Sequence, residues 1–270
     1  DIPAHDIIVN SISDPDVERE SLETLAEFTK ANPRVPVIND PGRVLETTRD
    51  NNHRRLGHLP GIHFPRTARV TQRNMDERGS DDPVERNGFA YPVVLRRAGS
   101  HTGRTFARIA NQRELSQYLN KTEGADIYVA EYVESPFRKK YFRKLRVFFI
   151  DGDIYPVVCH IDTTWNVHGG NRRAIMRNSD WMMAEEKSFL SDIRGYLGPD
   201  RFETLSALNE IVGLDFFGVD FTVTGDGAIL IFELNPAMRH SFEHADTFPY
   251  LTPYMAEISA AFGRMIVGKL

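Results

Sequence analysis

The chain has 270 residues, 41% hydrophobic and 26% charged, with a formal net charge of −5. Those proportions suit a globular protein long enough to bury a core in one domain or a few subdomains. No apolar run approaches the roughly 18–20 residues that cross a bilayer, and no long basic tract offers itself to nucleic acid. Cys159 is the only cysteine, which excludes an intrachain disulfide and a thiolate metal cluster and fits a reducing cytoplasm.

Residues 5–11 (HDIIVNS) read as a buried strand. Asp14-Pro15 gives the cap and first turn of a helix that ends near Asn32-Pro33, and residues 35–38 give a second strand. Strand–helix–strand is a parallel unit, and two strands alone make a poor sheet. The chain opens Asp1-Ile2-Pro3 with neither an initiator Met nor a signal peptide. Further strands are therefore expected ahead of Asp1, in a longer polypeptide. A turn at Asn39-Asp40-Pro41-Gly42 leads to a helix over about 44–56, and Pro60-Gly61 breaks it. The polar stretch 71–87 is the best candidate for a loop or domain boundary.

Hairpins dominate the remainder. Residues 92–96 and 105–109 flank an arginine- and glycine-containing loop, 146–150 and 154–161 flank Asp151-Gly152-Asp153, and 218–223 and 228–235 flank Thr224-Gly225-Asp226-Gly227. Helices are expected over 113–119, 201–212 and 253–267. The fold class is α+β, with antiparallel sheets behind a parallel βαβ remnant.

The last hairpin carries chemistry. A two-residue turn at Asp226-Gly227 sets Asp220 opposite Glu233, Val219 opposite Leu234, Phe221 opposite Phe232 and Val223 opposite Leu230. Side chains alternate along a strand, so Asp220, Thr222, Glu233 and Asn235 share the other face, together with Ile229 and Ile231. Opposed Cβ atoms lie about 4.5–5.5 Å apart, and two carboxylates that close repel unless a cation sits between them. Two carboxylates and an amide oxygen suit Mg²⁺, with Mn²⁺ as a substitute; a solvated acidic face without a ligand is the plain alternative.

The loop 97–104 (RAGSHTGR) points the same way. Gly99 and Gly103 let backbone amides approach a phosphate, Ser100 and Thr102 add hydroxyls, and Arg96, Arg97 and Arg104 add forked cations. It lacks the Gly-Lys-Ser/Thr of a Walker loop and is followed by a strand.

In order along nearly the whole chain, VINDP…TRDN…LPGIHFPRT, the strand–glycine loop–strand, the linker Ala130-Glu131-Tyr132-Val133-Glu134, RVFFIDGDIYPV and the GVDF…FELN pair resemble the ATP-grasp superfamily. The nearest flavour is glutathione synthetase and the ribosomal-protein glutamate ligases. The resemblance implies two α+β subdomains clasping ATP, with residues 1–65 as a partial preceding βαβ subdomain, 66–130 as the lid and 131–270 as the metal-bearing subdomain. It implies that Asp220, Glu233 and Asn235 hold magnesium and that Arg96 meets the ATP phosphates. Gly99, Ser100, His101, Thr102 and Gly103 match a loop closing over the triphosphate. Glu131, Tyr132 and Val133 match the linker whose backbone meets adenine, and Arg146 an arginine near the reacting phosphoryl group. The implied reaction joins a small-molecule or peptide carboxylate to an amine through an acyl phosphate, releasing ADP and phosphate. A kinase on the same fold and a nucleotide-binding module without catalysis stay open as alternatives.

This chain departs from the family in two places. No lysine stands near Asn51 or Asn52, where only Arg49, Arg54 and Arg55 supply charge, and Arg143 and Lys144 occupy the place of a ribose-binding acid, for which Glu134 is the substitute at hand. Residues 160–173 are a candidate substrate loop, with Arg172 favoured as catalytic beside His160, His168, Asn171 and Arg173. His240 and His244 are candidates for the acceptor pocket. Trp165, Trp181 and Cys159 read as core.

Overall fold

The computed structural model describes residues 4–71, 82–100, 105–122 and 124–270. In chain order its strands are β1 (Ile8–Val9), β2 (Val37–Ile38), β3 (Ile62–His63), β4 (Thr67–Val70), β5 (Val93–Arg97), β6 (Ala107–Ile109), β7 (Ile127–Glu131), β8 (Pro136–Phe137), β9 (Tyr141–Ile150), β10 (Asp153–Asp162), β11 (Phe216–Val223) and β12 (Ile229–Asn235). β1 and β2 pair in parallel. A four-stranded sheet runs β4-β7-β5-β6, and a larger sheet runs β10-β9-β11-β12-β3 with β8 added on β9. The fold is α+β.

Alternation along these strands builds a cleft between two cores. In the four-stranded sheet, Val93, Leu95, Ile127 and Val129 are fully buried in a small apolar cluster, and the intervening Val94, Arg96, Tyr128 and Ala130 line the cleft. In the large sheet Leu145, Val147, Phe149, Cys159, Phe217, Val219, Phe221, Ile229 and Ile231 enter the main core. Phe149 and Phe217 stack there with ring centroids 4.4 Å apart, an offset arrangement that adds to their area burial. The intervening Lys144, Arg146, Val158, His160 and Asp220 line the cleft. Period 2 on two facing sheets therefore decides both what is buried and what meets a ligand.

The last hairpin departs from its expected register for a physical reason. The turn of β11–β12 is not the two-residue Asp226-Gly227. Gly227 N donates to Thr224 O and Thr224 N to Ala228 O, so Gly225, Asp226 and Gly227 form a three-residue loop whose last member has φ +91°, a left-handed position suited to glycine. Phe221 then pairs with Ile231, Thr222 with Leu230 and Val223 with Ile229. A bulge at Phe232 restores the expected pairing of Asp220 with Glu233 and Val219 with Leu234. Ile229 and Ile231 thus lie in the core, while Leu230 and Phe232 turn to the cleft.

The helices differ in detail. The first runs Arg19–Ala31, the stretch expected over 44–56 is split into Pro41–Leu45 and Arg49–Leu56, and that over 201–212 into Pro199–Ser206 and Leu208–Val212. Helices Pro83–Arg86, Arg172–Met176, Asp180–Ser191 and Ile193–Leu197 were not expected. Asp180–Ser191 buries Met182, Glu186, Phe189 and Leu190 on one face, and the acidic Glu186 in that face conceals its period.

Candidate nucleotide and metal cleft

Three neighbouring strands bring the charged centre together. Arg146 on β9 pairs in register with Asp220 on β11, and Asp220 with Glu233 on β12, so a cation and two carboxylates stand side by side on the cleft face. Arg146 holds Asp220 in a fork, Nε to Oδ1 at 2.6 Å and Nη2 to Oδ2 at 2.9 Å. Lys144 Nζ lies 3.2 Å from the same Oδ2. Arg49, at the start of helix Arg49–Leu56, donates to Glu233 Oε1 at 2.6 Å, and Arg96 of β5 approaches that oxygen to 3.9 Å. The repulsion implied by the register is thus met by arginine and lysine of this chain.

Burial and charge oppose each other here. Asp220 is 1% exposed, and burial alone would raise its pKa. Lys144 and Arg146 outweigh that and hold the carboxyl well below its usual range. Burial also works against Glu233, and Arg49 with Arg96 overcomes it, so this carboxyl too is lowered. Arg96 is brought down to about 10, first by burial and then by the neighbouring Arg49 charge, against the pull of Glu233. Arg49, Arg96, Lys144 and Arg146 face Asp220 and Glu233, a surplus of positive charge that suits an anion.

The donors fit a hard divalent cation in kind: Asp220, Glu233 and Asn235 offer only oxygen, and all three line the cleft. Asn235 Oδ1 accepts from Ala237 N at 3.0 Å, which fixes the amide. No cluster of three or more His, Cys, Asp or Glu side chains disposed to hold a metal occurs among the described residues; the third ligand of this set would be an amide.

The cleft is a cavity of about 770 Å³ that also takes in Glu131, Tyr132 and Val133 of the linker, Phe106, Phe142 and Trp165. Other expected residues lie elsewhere. Gly99 and Ser100 are outside the cavity lining. Ser100 O accepts from Arg96 Nε at 2.9 Å and Nη2 at 2.6 Å, so the loop's backbone orients the β5 arginine. Gly99 has φ +67°, and a Cβ there would come 2.5 Å from Val17 Cγ2, so glycine is required for this approach. His101, Thr102 and Gly103, with Arg104, lie outside the described residues. Glu134 is exposed and does not line the cavity, which leaves it poorly placed to stand in for a ribose acid.

Arg172 requires a firm correction. Its side chain has no exposed surface, as has that of its ion-pair partner Glu186. Its guanidinium sits 4.2 Å over the Phe248 ring, and Nη1 donates to Cys159 O at 3.3 Å. Glu186 in turn accepts from Cys159 N at 2.9 Å and from Tyr250 OH at 2.7 Å. The pair therefore satisfies the backbone of edge strand β10 and offers nothing to a ligand.

Sequence reasoning undervalued several cleft residues. Arg49 and Lys144 were noted only beside missing family residues, yet both contact the carboxylates. Arg54 pairs with Asp50, and Arg55 with Glu46. Trp165, expected in the core, is half-buried and lines the cavity with His160, His168 and His244. His240 bonds Ser259 instead. Cys159 is buried as expected. The available signal for Arg49 was its position at a helix start just after a Thr cap.

Two packed sheets with a charged cleft between them define a class of fold, and comparison with solved structures places it. No protein-family model and no curated protein sequence matches the chain. The chain has the ATP-grasp fold. It is similar to D-alanine–D-alanine ligase from Bacillus anthracis, with a TM-score of 0.58 and 11% identity over 97% of this chain and 82% of that one; a structure of that ligase complexed with ATP matches at 0.52 and 13%, over 93% of this chain and 77% of that one. A RimK domain ATP-grasp protein from Sphaerobacter thermophilus matches at 0.52 and 14%, over 94% and 81%. N5-carboxyaminoimidazole ribonucleotide synthetase from Thermotoga maritima matches at 0.51 and 17%, over 89% of this chain and 54% of that one. No helix among the described residues is long and apolar enough to cross a membrane.

Proposed function

We propose that the protein is an ATP- and magnesium-dependent carboxylate–amine ligase of the cytoplasm, acting on small-molecule or peptide substrates. The observation that carries this reading is the charged rank Arg146–Asp220–Glu233 flanked by Arg49, Arg96 and Lys144, in a cleft that apolar and aromatic side chains also line. Its fold-mates bear the names of carbon–nitrogen ligases, and one was solved with ATP.

In this reading Asp220, Glu233 and Asn235 would hold Mg²⁺, which would supply positive charge against that developing during phosphoryl transfer. Arg96 comes from the lid, residues 66–130, and Arg146 and Lys144 come from the large sheet. Together they position the triphosphate from both sides and stabilise charge on the transferring group. The backbone of Glu131, Tyr132 and Val133 borders the apolar lining, where a base fits. The carboxylate substrate takes the γ-phosphoryl group, giving an acyl phosphate and ADP; an amine then displaces phosphate and leaves an amide.

Hydroxylamine intercepts acyl phosphates and leaves phosphate monoesters untouched. Incubation with Mg-ATP, a panel of carboxylates and hydroxylamine is expected to give ADP together with hydroxamate. ADP with a stable phosphorylated alcohol would replace the ligase with a kinase, and AMP as the nucleotide product would contradict attack at the γ-phosphorus.

A further inference from the structure

The cleft's aromatic lining contains a contact that the charged centre does not explain. Trp165 stands on the loop after β10, Phe106 lies just before lid strand β6, and Tyr132 belongs to the linker between the two bodies. The Trp165 ring centroid is 5.3 Å from that of Phe106 and 5.6 Å from that of Tyr132, the latter edge-on at 89°. All three rings line the cavity. Arg108 covers Tyr132 at 4.7 Å, so that ring is held from the lid side as well.

The indole is held in place by its loop. Asp162 is 2% exposed and accepts from Thr164 N at 3.1 Å and from Asn171 Nδ2 at 3.1 Å, tying the two ends of the loop together. Val167 N donates to Trp165 O at 3.1 Å. Trp181 is half-buried as well, but it packs against the main core beside Phe137 and Tyr141. Trp165 packs into neither apolar core cluster and presents its half-buried ring to a cavity that Arg49, Arg96, Lys144 and Arg146 also line. A ligand that satisfies both the aromatic and the cationic lining has a planar aromatic ring joined to an anionic chain.

We propose that Trp165 is a base-binding residue, reaching from the large subdomain to the lid to stack on or cap the heterocycle of the bound nucleotide. This rests on the nucleotide reading above and deepens it, because it assigns base affinity to a loop outside the linker. Stacking acts on the ring and not on the phosphates. Removing the indole therefore weakens adenosine and ATP by the same factor and leaves inorganic tripolyphosphate unaffected.

The test uses the full chain in a Trp181→Phe background, so that Trp165 is its sole tryptophan and can be excited selectively over the tyrosines. Adenosine and ATP are expected to quench that emission, and tripolyphosphate to leave it nearly unchanged. In calorimetric titrations Trp165→Ala is expected to weaken adenosine and ATP alike by about tenfold or more, the usual scale of base–aromatic stacking, and Trp165→Phe to retain most of the affinity. Unchanged affinity for both ligands in Trp165→Ala, with ATP still bound tightly, would overturn the proposal and leave the nucleotide site standing. Loss of tripolyphosphate binding equal to that of adenosine would assign Trp165 to general packing and overturn it too. Absence of ATP and adenosine binding in the unmodified protein would remove the nucleotide reading, and this proposal with it.

Discussion

Two arginine–carboxylate pairs sit on the same large sheet and do opposite work. Arg172–Glu186 closes the open edge of β10, and every oxygen of Glu186 is engaged by this chain: Cys159 N, Arg172 and Tyr250. Arg146–Asp220 stands on the cleft face, with Arg146 21% exposed and a cavity in front of it. Chemically the pairs are alike. What separates them is whether any direction remains open to a ligand, and this depends on the helices that cover the edge and leave the cleft face bare.

The largest effect expected from that difference is on stability. Arg172→Ala leaves Glu186 buried without its counter-ion, and breaking such a pair costs about 3–5 kcal/mol. Arg146→Ala is expected to cost less, because Lys144 remains beside Asp220 and the cavity admits water. Urea titration of the two variants checks the order; equal losses would erase the distinction between a structural and a ligand-facing pair.

A smaller, pH-dependent effect sharpens the comparison at His160, which lies in register with Lys144. Burial holds its pKa well below the ordinary value, helped by the charges of Arg172, Lys144 and Arg146. A lowered folded pKa means that the unfolded chain binds the proton first. The stability contribution is therefore present above about pH 6.5 and is lost as pH falls through the folded value. His160→Asn is expected to flatten the decline in melting temperature below that pH. An unchanged acid slope would show that His160 titrates freely in the folded protein.

Much of this architecture was legible in the chain because period 2 and turn chemistry act locally. The Asp151-Gly152 turn, with both residues at positive φ, and the pairing of Asp220 with Glu233 follow from a few neighbouring residues. That pairing was reached through two departures that cancel, a longer turn and a bulge at Phe232. A bulge is set by how β12 meets both β11 and β3, which no local pattern reveals. Arg172 misled for a similar reason: a charged residue in a polar loop gives no sign of Glu186, Phe248 and Tyr250 closing over it. Arg49 and Lys144 were visible as charges, but their convergence on the two carboxylates depends on helix Arg49–Leu56 docking against the large sheet.

The central claim is that Asp220, Glu233 and Asn235 take a divalent cation together with a nucleotide's phosphates. Calorimetric titration of ATP with and without Mg²⁺, in the unmodified protein and in Asp220→Asn, tests it most directly. Mg²⁺ is expected to tighten ATP binding in the unmodified protein. In Asp220→Asn that gain should disappear while metal-free ATP still binds, because Arg49, Arg96, Lys144 and Arg146 remain. An Asp220→Asn protein that keeps the full magnesium-dependent gain would contradict the account.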